Sequence, residues 1–198
     1  MSTDLVWYAA YGSNMTWSRF RCYLEGGTLA ATGRAHHGAR DSSHPRDTSA
    51  AWLPGRMYFA TQTAYWGGGR ALYDPDAAGM TASRAWLITP DQLCDIMSQE
   101  MKREPGADYA LPLVPGREHR LRAGGGHYET VTCAGHLRGR PVITFCAPWA
   151  MASVAPLAPA PAYRAMIAAG LHETFGWDVQ RAGWYLDSLP GGKACLTA

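Results

Sequence analysis

Leu5-Val6-Trp7-Tyr8-Ala9-Ala10-Tyr11-Gly12-Ser13-Asn14-Met15 is the stretch from which the rest of the chain is read. The apolar run from Leu5 to Ala10 is short for a helix and carries Val, Trp and Tyr, which favours a buried strand. It breaks at Gly12-Ser13-Asn14, and a helix is expected to follow through about Leu24, closed by Gly26-Gly27, with Ser13 or Asn14 as its cap. A strand that turns into a helix in so few residues leaves several backbone N–H groups without intrahelical partners, all aimed at one spot. Such a turn suits an anion or an oxyanion. A single Gly with no following Lys does not read as a nucleotide loop, so the expected guest is smaller, a carboxylate or a carbonyl oxygen. Tyr11, Gly12, Ser13, Asn14 and Met15 are the candidate substrate-binding residues.

Around this stretch, 198 residues suit one sizeable core, and no Pro/Gly/Ser-rich linker divides them. The expectation is a single domain over 1–198. Formal charge is +2 with both signs scattered, so no basic stripe argues for nucleic acid and no polybasic patch for a membrane surface. Apolar runs fall well short of the roughly 20 residues of a bilayer span, and Met1-Ser2-Thr3-Asp4 is not a signal-peptide start. A soluble cytoplasmic protein acting on a small molecule is the expectation. The Arg, Ala and Gly bias, with Lys only at 102 and 193, reads as a GC-rich bacterial genome. Cys22, Cys94, Cys133, Cys146 and Cys195 are odd in number and form no Cys-x-x-Cys pair, which indicates neither a zinc knuckle nor a disulfide framework. His36, His37 and His44 crowd one polar region but lack the spacing of a zinc site. No metal and no cofactor are expected, and the oligomeric state is not legible.

The remaining segments read as an α+β fold. Residues 38 to 54 are polar and Pro-punctuated, a long surface loop. Strands are expected at 55–60 and 82–88, separated by an irregular segment around Gly67-Gly68-Gly69. Thr89-Pro90 starts a helix, with Thr as cap and Pro at the first position, running to about Arg103. Strands at 128–133 and 141–146 form a hairpin through Leu137-Arg138-Gly139. The tail is helical at 161–175 and again at 179–189. The architecture expected is a small mixed β-sheet or barrel core with peripheral helices. Tyr65-Trp66 beside the glycines reads either as a mobile lid or as a packed aromatic turn.

In the helix from Pro90, Leu93, Ile96 and Met97 mark the core-facing stripe, and continuing it lands on Glu100. Burial disfavours the charged form of a carboxyl, the general route to a proton carrier that works near neutral pH. The competing reading puts Glu100 at the rim of the stripe, paired with Arg84, Lys102 or Arg103. Glu104 shares the face but precedes Pro105 at the helix end.

Tyr11-Gly12-Ser13-Asn14-Met15 after a strand, Pro54-Gly55-Arg56-Met57-Tyr58, and Trp86-Leu87-Ile88-Thr89-Pro90 with Leu93 and Glu100 together resemble the gamma-glutamylcyclotransferase family. Pro159-Ala160-Pro161-Ala162-Tyr163 and Gly170 to Glu173 are also similar to the family's tail. Two departures stand out: Met97 where the family has an Asp three residues before its Glu, and Phe145 where many members carry a Tyr. The long segments 38–54 and 103–127 fall outside the resemblance. It implies cleavage of a γ-glutamyl amide by the substrate's own α-amine, giving 5-oxoproline and a free amine, without metal or cofactor. Glu100 is then the catalytic acid/base and the Tyr11–Met15 loop the substrate cradle. Two alternatives remain open: another acyl or amine rearrangement on a bacterial secondary metabolite, and a non-catalytic binder of a small anion.

Overall fold

The computed structural model describes residues 5–193 apart from 107, 108, 110, 112–115 and 125. Cys195 and the N-terminal Met1–Asp4 therefore lie outside the described residues. Strands and helices are numbered in chain order. β1 (Val6–Ala10) is buried along its whole length. It lies between β7 (Met80–Ile88), antiparallel, and β10 (Arg140–Cys146), parallel. A strand with neighbours on both edges and layers on both faces needs apolar residues at every position, so its sequence is continuous where an alternating pattern would mark a half-exposed strand.

The full mixed sheet has the order β4-β7-β1-β10-β9-β8, with β4 at Asp47–Pro54, β9 at Thr130–Leu137 and β8 at Gly116–Arg122. A separate hairpin, β5 (Arg56–Gln62) with β6 (Gly69–Asp74), curls over it. The Ala147 N–H donates to Tyr73 O at 3.1 Å, and the Met57 N–H donates to Thr81 Oγ1 at 2.9 Å. The hairpin thus bridges the end of β10 and the start of β7, and the core is barrel-like. A short pair, β2 (Gly27–Leu29) and β3 (Arg34–His36), stands apart. Around the strands lie α1 (Trp17–Glu25), α2 (Pro90–Glu100), α3 (Pro161–Phe175) and α4 (Val179–Asp187). Among the described residues no helix is long and apolar enough to cross a membrane.

Three sequence expectations need correction. Residues 47–54 are not loop: β4 pairs with β7 along its whole length, from Asp47 opposite Leu87 to Pro54 opposite Met80. It is an edge strand in which only Leu53 is buried, so its polar composition reflects exposure. The segment around Gly67–Gly69 passes into β6, and Gly69 is required there because a Cβ would sit 1.9 Å from Leu157 O. Finally, α2 stops at Glu100. Its start is as expected, with Thr89 and Gln92 closing a reciprocal capping box, but Lys102 turns to φ 60° and breaks the helix before Arg103.

The turn after β1 also differs in kind from a helix cap. Ser13–Met15 form one turn of 3-10 helix, Thr16 is extended, and α1 begins afresh at Trp17. Neither Ser13 nor Asn14 caps α1. The free N–H of Trp17 donates to Glu173 Oε2 of α3 at 3.0 Å, and Arg84 Nη1 donates to the same oxygen at 2.7 Å. Arg84 also donates to Met15 O, and Trp86 Nε1 donates to Asn14 O at 3.0 Å. Phe20 of α1 stacks on the Trp86 ring at 4.6 Å. The turn is thereby clamped between β7 and α3.

α3 reaches the turn only because Gly170 lacks a side chain. A Cβ there would lie 2.4 Å from Met15 Cβ and 3.2 Å from the Thr16 nitrogen. The opposing atoms are backbone or attached to it, so they cannot swing aside. Gly170→Ala should therefore destabilise the fold by about 1–3 kcal/mol despite the better helix propensity of Ala, as denaturant titration would measure.

Candidate active site

A cavity of about 130 Å³ opens where the chain leaves β1. The strand supplies Tyr8, the residue just past it is Tyr11, the turn supplies Gly12, Ser13 and Asn14, and Glu100 is the last residue of α2. The apolar stripe of α2 does face the core, with Leu93, Ile96 and Met97 fully buried, and Glu100 continues it to the cavity wall. None of Arg84, Lys102 or Arg103 is its ion-pair partner: Arg84 pairs with Glu173 and Arg103 with Glu129. Glu104 is exposed.

The carboxylate of Glu100 is held through one oxygen. Oε1 accepts from Asn14 Nδ2 at 2.9 Å and from the Tyr23 hydroxyl at 2.6 Å. Asn14 Nδ2 also donates to the Tyr8 hydroxyl at 3.2 Å. The carboxylate fixes which way the Asn14 amide faces, since only its NH₂ side can donate. Behind Tyr23 stands Arg19, fully buried one helical turn earlier, whose Nη2 donates to the Tyr23 oxygen at 2.7 Å and whose Nη1 bonds His36 Nε2 at 2.8 Å. Burial opposes the charge of Arg19, but Tyr23 and Glu100 outweigh it and raise its pKa. The negative charge at Glu100 is thus balanced by a cation two hydrogen bonds away.

Oε2 of Glu100 carries no hydrogen bond from the described residues. The N–H groups of Gly12, Ser13 and Asn14 likewise have no acceptor among the described residues. Asn14 Oδ1 and the Tyr11 hydroxyl are buried without a partner. A buried polar atom left bare costs about 1–3 kcal/mol, and Asn14 Oδ1 and the Tyr11 hydroxyl are two such atoms in one cavity wall. Burial raises the pKa of Tyr8, Tyr11, Tyr23, Tyr128 and Tyr163, with the nearby carboxylate adding to the effect at Tyr8 and Tyr23. These hydroxyls stay protonated and serve as hydrogen-bonding groups.

Gly12 is tightly enclosed: a Cβ would meet the Tyr163 hydroxyl at 3.3 Å. That hydroxyl accepts from the Ala71 N–H, and the Tyr128 hydroxyl donates to Ala71 O at 2.7 Å, so β6 forms the opposite wall. Phe145 also lines the cavity, its ring 5.2 Å from that of Tyr8. Tyr65 and Trp66 cover one side, Trp66 against the Tyr163 ring at 5.2 Å. Met15 is not a lining residue. It is fully buried behind the turn against Gly170, because the 3-10 turn rotates its side chain into the core.

Sequence reasoning missed Tyr8, Arg19 and Tyr23. Arg19 and Tyr23 are four apart on α1 and so share a face, a visible signal whose partner Glu100 is not local. The histidines are spread over separate tasks: His36 bonds Arg19, and His44 bonds Glu25 Oε1 at 2.7 Å.

No protein-family model matches the sequence. Among curated proteins, the chain is 34% identical over 150 residues to histone deacetylase 5 of Arabidopsis thaliana, a match over 70% of this chain and 23% of that protein. The chain therefore spans about a quarter of the length of the curated relative it matches. Among solved structures it is similar to an uncharacterized human protein, loc79017, at a TM-score of 0.58 and 15% identity over 94% of this chain and 88% of that one. A gamma-glutamyl cyclotransferase superposes at 0.56 and 14% identity, covering 98% and 92% of the two chains. YkqA from Bacillus subtilis follows at 0.54 and 17%, covering 96% and 56%. The chain has the gamma-glutamylcyclotransferase-like fold.

His36 gives the site a pH signature. Burial first, and then the charge of Arg19, lower its pKa from 6.5 to about 3. Between those values the unfolded chain binds a proton that the folded chain refuses, so stability falls as pH drops from about 6.5 towards 3, by at most about 1.4 kcal/mol per pH unit from this group. His36→Gln keeps an acceptor for Arg19 and removes the titration. Its stability against pH, measured by urea unfolding, should be flatter over that window than that of the parent.

Proposed function

We propose that the protein cleaves a γ-glutamyl amide by cyclisation, releasing 5-oxoproline and a free amine. The observation that carries this reading is the pairing of bare groups in one cavity. Glu100 Oε2 and Asn14 Oδ1 are acceptors, while the Tyr11 hydroxyl and the N–H groups of Gly12 to Asn14 are donors. Acceptors beside donors are what an α-ammonium next to a carboxylate needs, and a γ-glutamyl group ends in that zwitterion.

With the head group so placed, the α-nitrogen is brought towards the γ-carbonyl of the same molecule. The attack is intramolecular, and holding the arm folded supplies much of the acceleration. Glu100 takes a proton from the α-ammonium through Oε2, the freed amine forms the new C–N bond, and negative charge builds on the γ-carbonyl oxygen. Those N–H donors of the turn that the α-carboxylate does not engage stabilise that oxyanion. Glu100 then returns the proton to the departing nitrogen as the old amide bond breaks, and a second proton passes by the same carboxylate from the ring nitrogen to the released amine, so atoms and charge balance with no metal or enzyme nucleophile. The Arg19–Tyr23 pair holds Oε1 still, and the carboxylate turns from base to acid without moving.

Incubation of the protein with γ-glutamyl amines should yield 5-oxoproline and the free amine in equal amounts by mass spectrometry. Glu100→Gln, which preserves shape and can still accept from Asn14, should lower kcat by about 10²–10⁴-fold while binding persists. Turnover by Glu100→Gln equal to that of the parent would sink the mechanism. Binding by the parent without any turnover would make the protein a small-ligand binder instead.

A further inference from the structure

Past Tyr65 a second chamber, of about 140 Å³, adjoins the substrate cavity, and Arg34, His36, His37, Gln99, Lys102 and Arg103 are in its lining. No carboxylate is among its lining residues. Arg103 is paired with Glu129, but among the described residues no carboxylate lies within ion-pair distance of Arg34 or Lys102. These two mark the neck that the chamber shares with the cavity: the Arg34 guanidinium lies 4.5 Å and Lys102 Nζ 5.3 Å from the centre of the Tyr65 ring. Arg34 is further fixed through Nη2, which donates to Gln99 O at 2.7 Å.

His36 decides what the chamber can take. A guanidinium has donors and no acceptor, so the 2.8 Å bond between Arg19 Nη1 and His36 Nε2 requires Nε2 to accept. Burial and the charges of Arg19 and Arg34 keep the ring neutral, and a neutral imidazole that accepts at one nitrogen carries its proton on the other. The proton therefore sits on Nδ1. His36 is 7% exposed, and its Nδ1 is buried with no partner among the described residues. Gln99 Oε1, turned to the Gly38 N–H at 3.2 Å, does not take that proton. The chamber wall thus combines an unanswered N–H donor with two cations that no carboxylate neutralises.

We infer that the second chamber is a binding site for a doubly charged tetrahedral oxyanion, free phosphate or the phosphate of a small monoester, which accepts the His36 Nδ1 proton and lies against Arg34 and Lys102. A dianion matches the two cations, where a carboxylate would leave one of them unmatched, and its several oxygens can engage the N–H donor and both cations together. Arg19 then serves an anion on either side. Through Tyr23 it supports the donation to Glu100 Oε1, and through His36 the donation to the oxyanion. The site stands on these groups alone and does not depend on the cyclisation of a γ-glutamyl amide.

Calorimetry on the parent protein, above neutral pH, should show a one-to-one complex with inorganic phosphate and binding of acetate at least about ten-fold weaker. His36→Gln keeps an acceptor where Nε2 stands but loses the donor at Nδ1, and should weaken phosphate by about ten-fold or more. His36→Asn places its amide near the Nδ1 position and should retain most of the affinity, an order that a purely structural role for His36 would not produce. In the parent, whose folding is not at issue, the nitrogen chemical shifts of His36 should show Nδ1 protonated and Nε2 bare, and added phosphate should move the Nδ1 proton resonance. Glycerol 3-phosphate binding more tightly than phosphate supports the site with an ester as its occupant, and weaker binding supports it with free phosphate. No phosphate binding, acetate binding as tightly as phosphate, affinity untouched by His36→Gln, or a His36 proton found on Nε2 each overturns the site, whatever the outcome of the 5-oxoproline assay.

Discussion

The short hydrogen bonds to Glu100 Oε1 from Tyr23 at 2.6 Å and Asn14 at 2.9 Å are the contacts on which the arrangement of the site depends. They join three elements that have no other reason to meet at one atom: the end of α2, the turn after β1, and the middle of α1. A half-buried carboxylate is costly unless it is hydrogen-bonded and balanced by positive charge. Asn14 and Tyr23 meet the first need, and Arg19 meets the second from behind Tyr23. The same anchoring leaves Oε2 bare, so stability and availability for chemistry are divided between the two oxygens of one group.

Much of the scaffold was legible in the sequence because its signals are local. β1 announces itself by an unbroken apolar run, α2 by Thr89-Pro90 and a stripe at helical spacing, α3 and α4 by their bounds at Pro161 and Val179. The elements that were missed depend on neighbours. β4 reads as polar loop because an edge strand shows water one face, and only its pairing with β7 makes it a strand. β2, β3 and β8 are short or irregular pieces whose hydrogen bonds come from partners elsewhere in the chain.

The site divides along the same line. Glu100 could be reached by counting along α2, and the turn by its break at Gly12. That Asn14 serves Glu100 and not a helix end could not be read, because the choice is made by a residue 86 positions away. Met15 shows the reverse case, adjacent to the cradle in sequence yet turned into the core. Arg34 and Lys102 converge on Tyr65 only through the fold.

The close approach of α3 to the turn at Gly170, with Glu173 holding both Trp17 and Arg84, makes α3 a brace for a loop more than 150 residues earlier. The turn's own backbone bonds are few, from Met15 and Thr16 back to Gly12 and Ser13. Its amide hydrogens should accordingly exchange with solvent on the timescale at which α3 detaches and not on that of an ordinary surface loop. The turn and α3 then form one cooperative opening unit, and any change that loosens α3 would be felt at Asn14 before it was felt in β1.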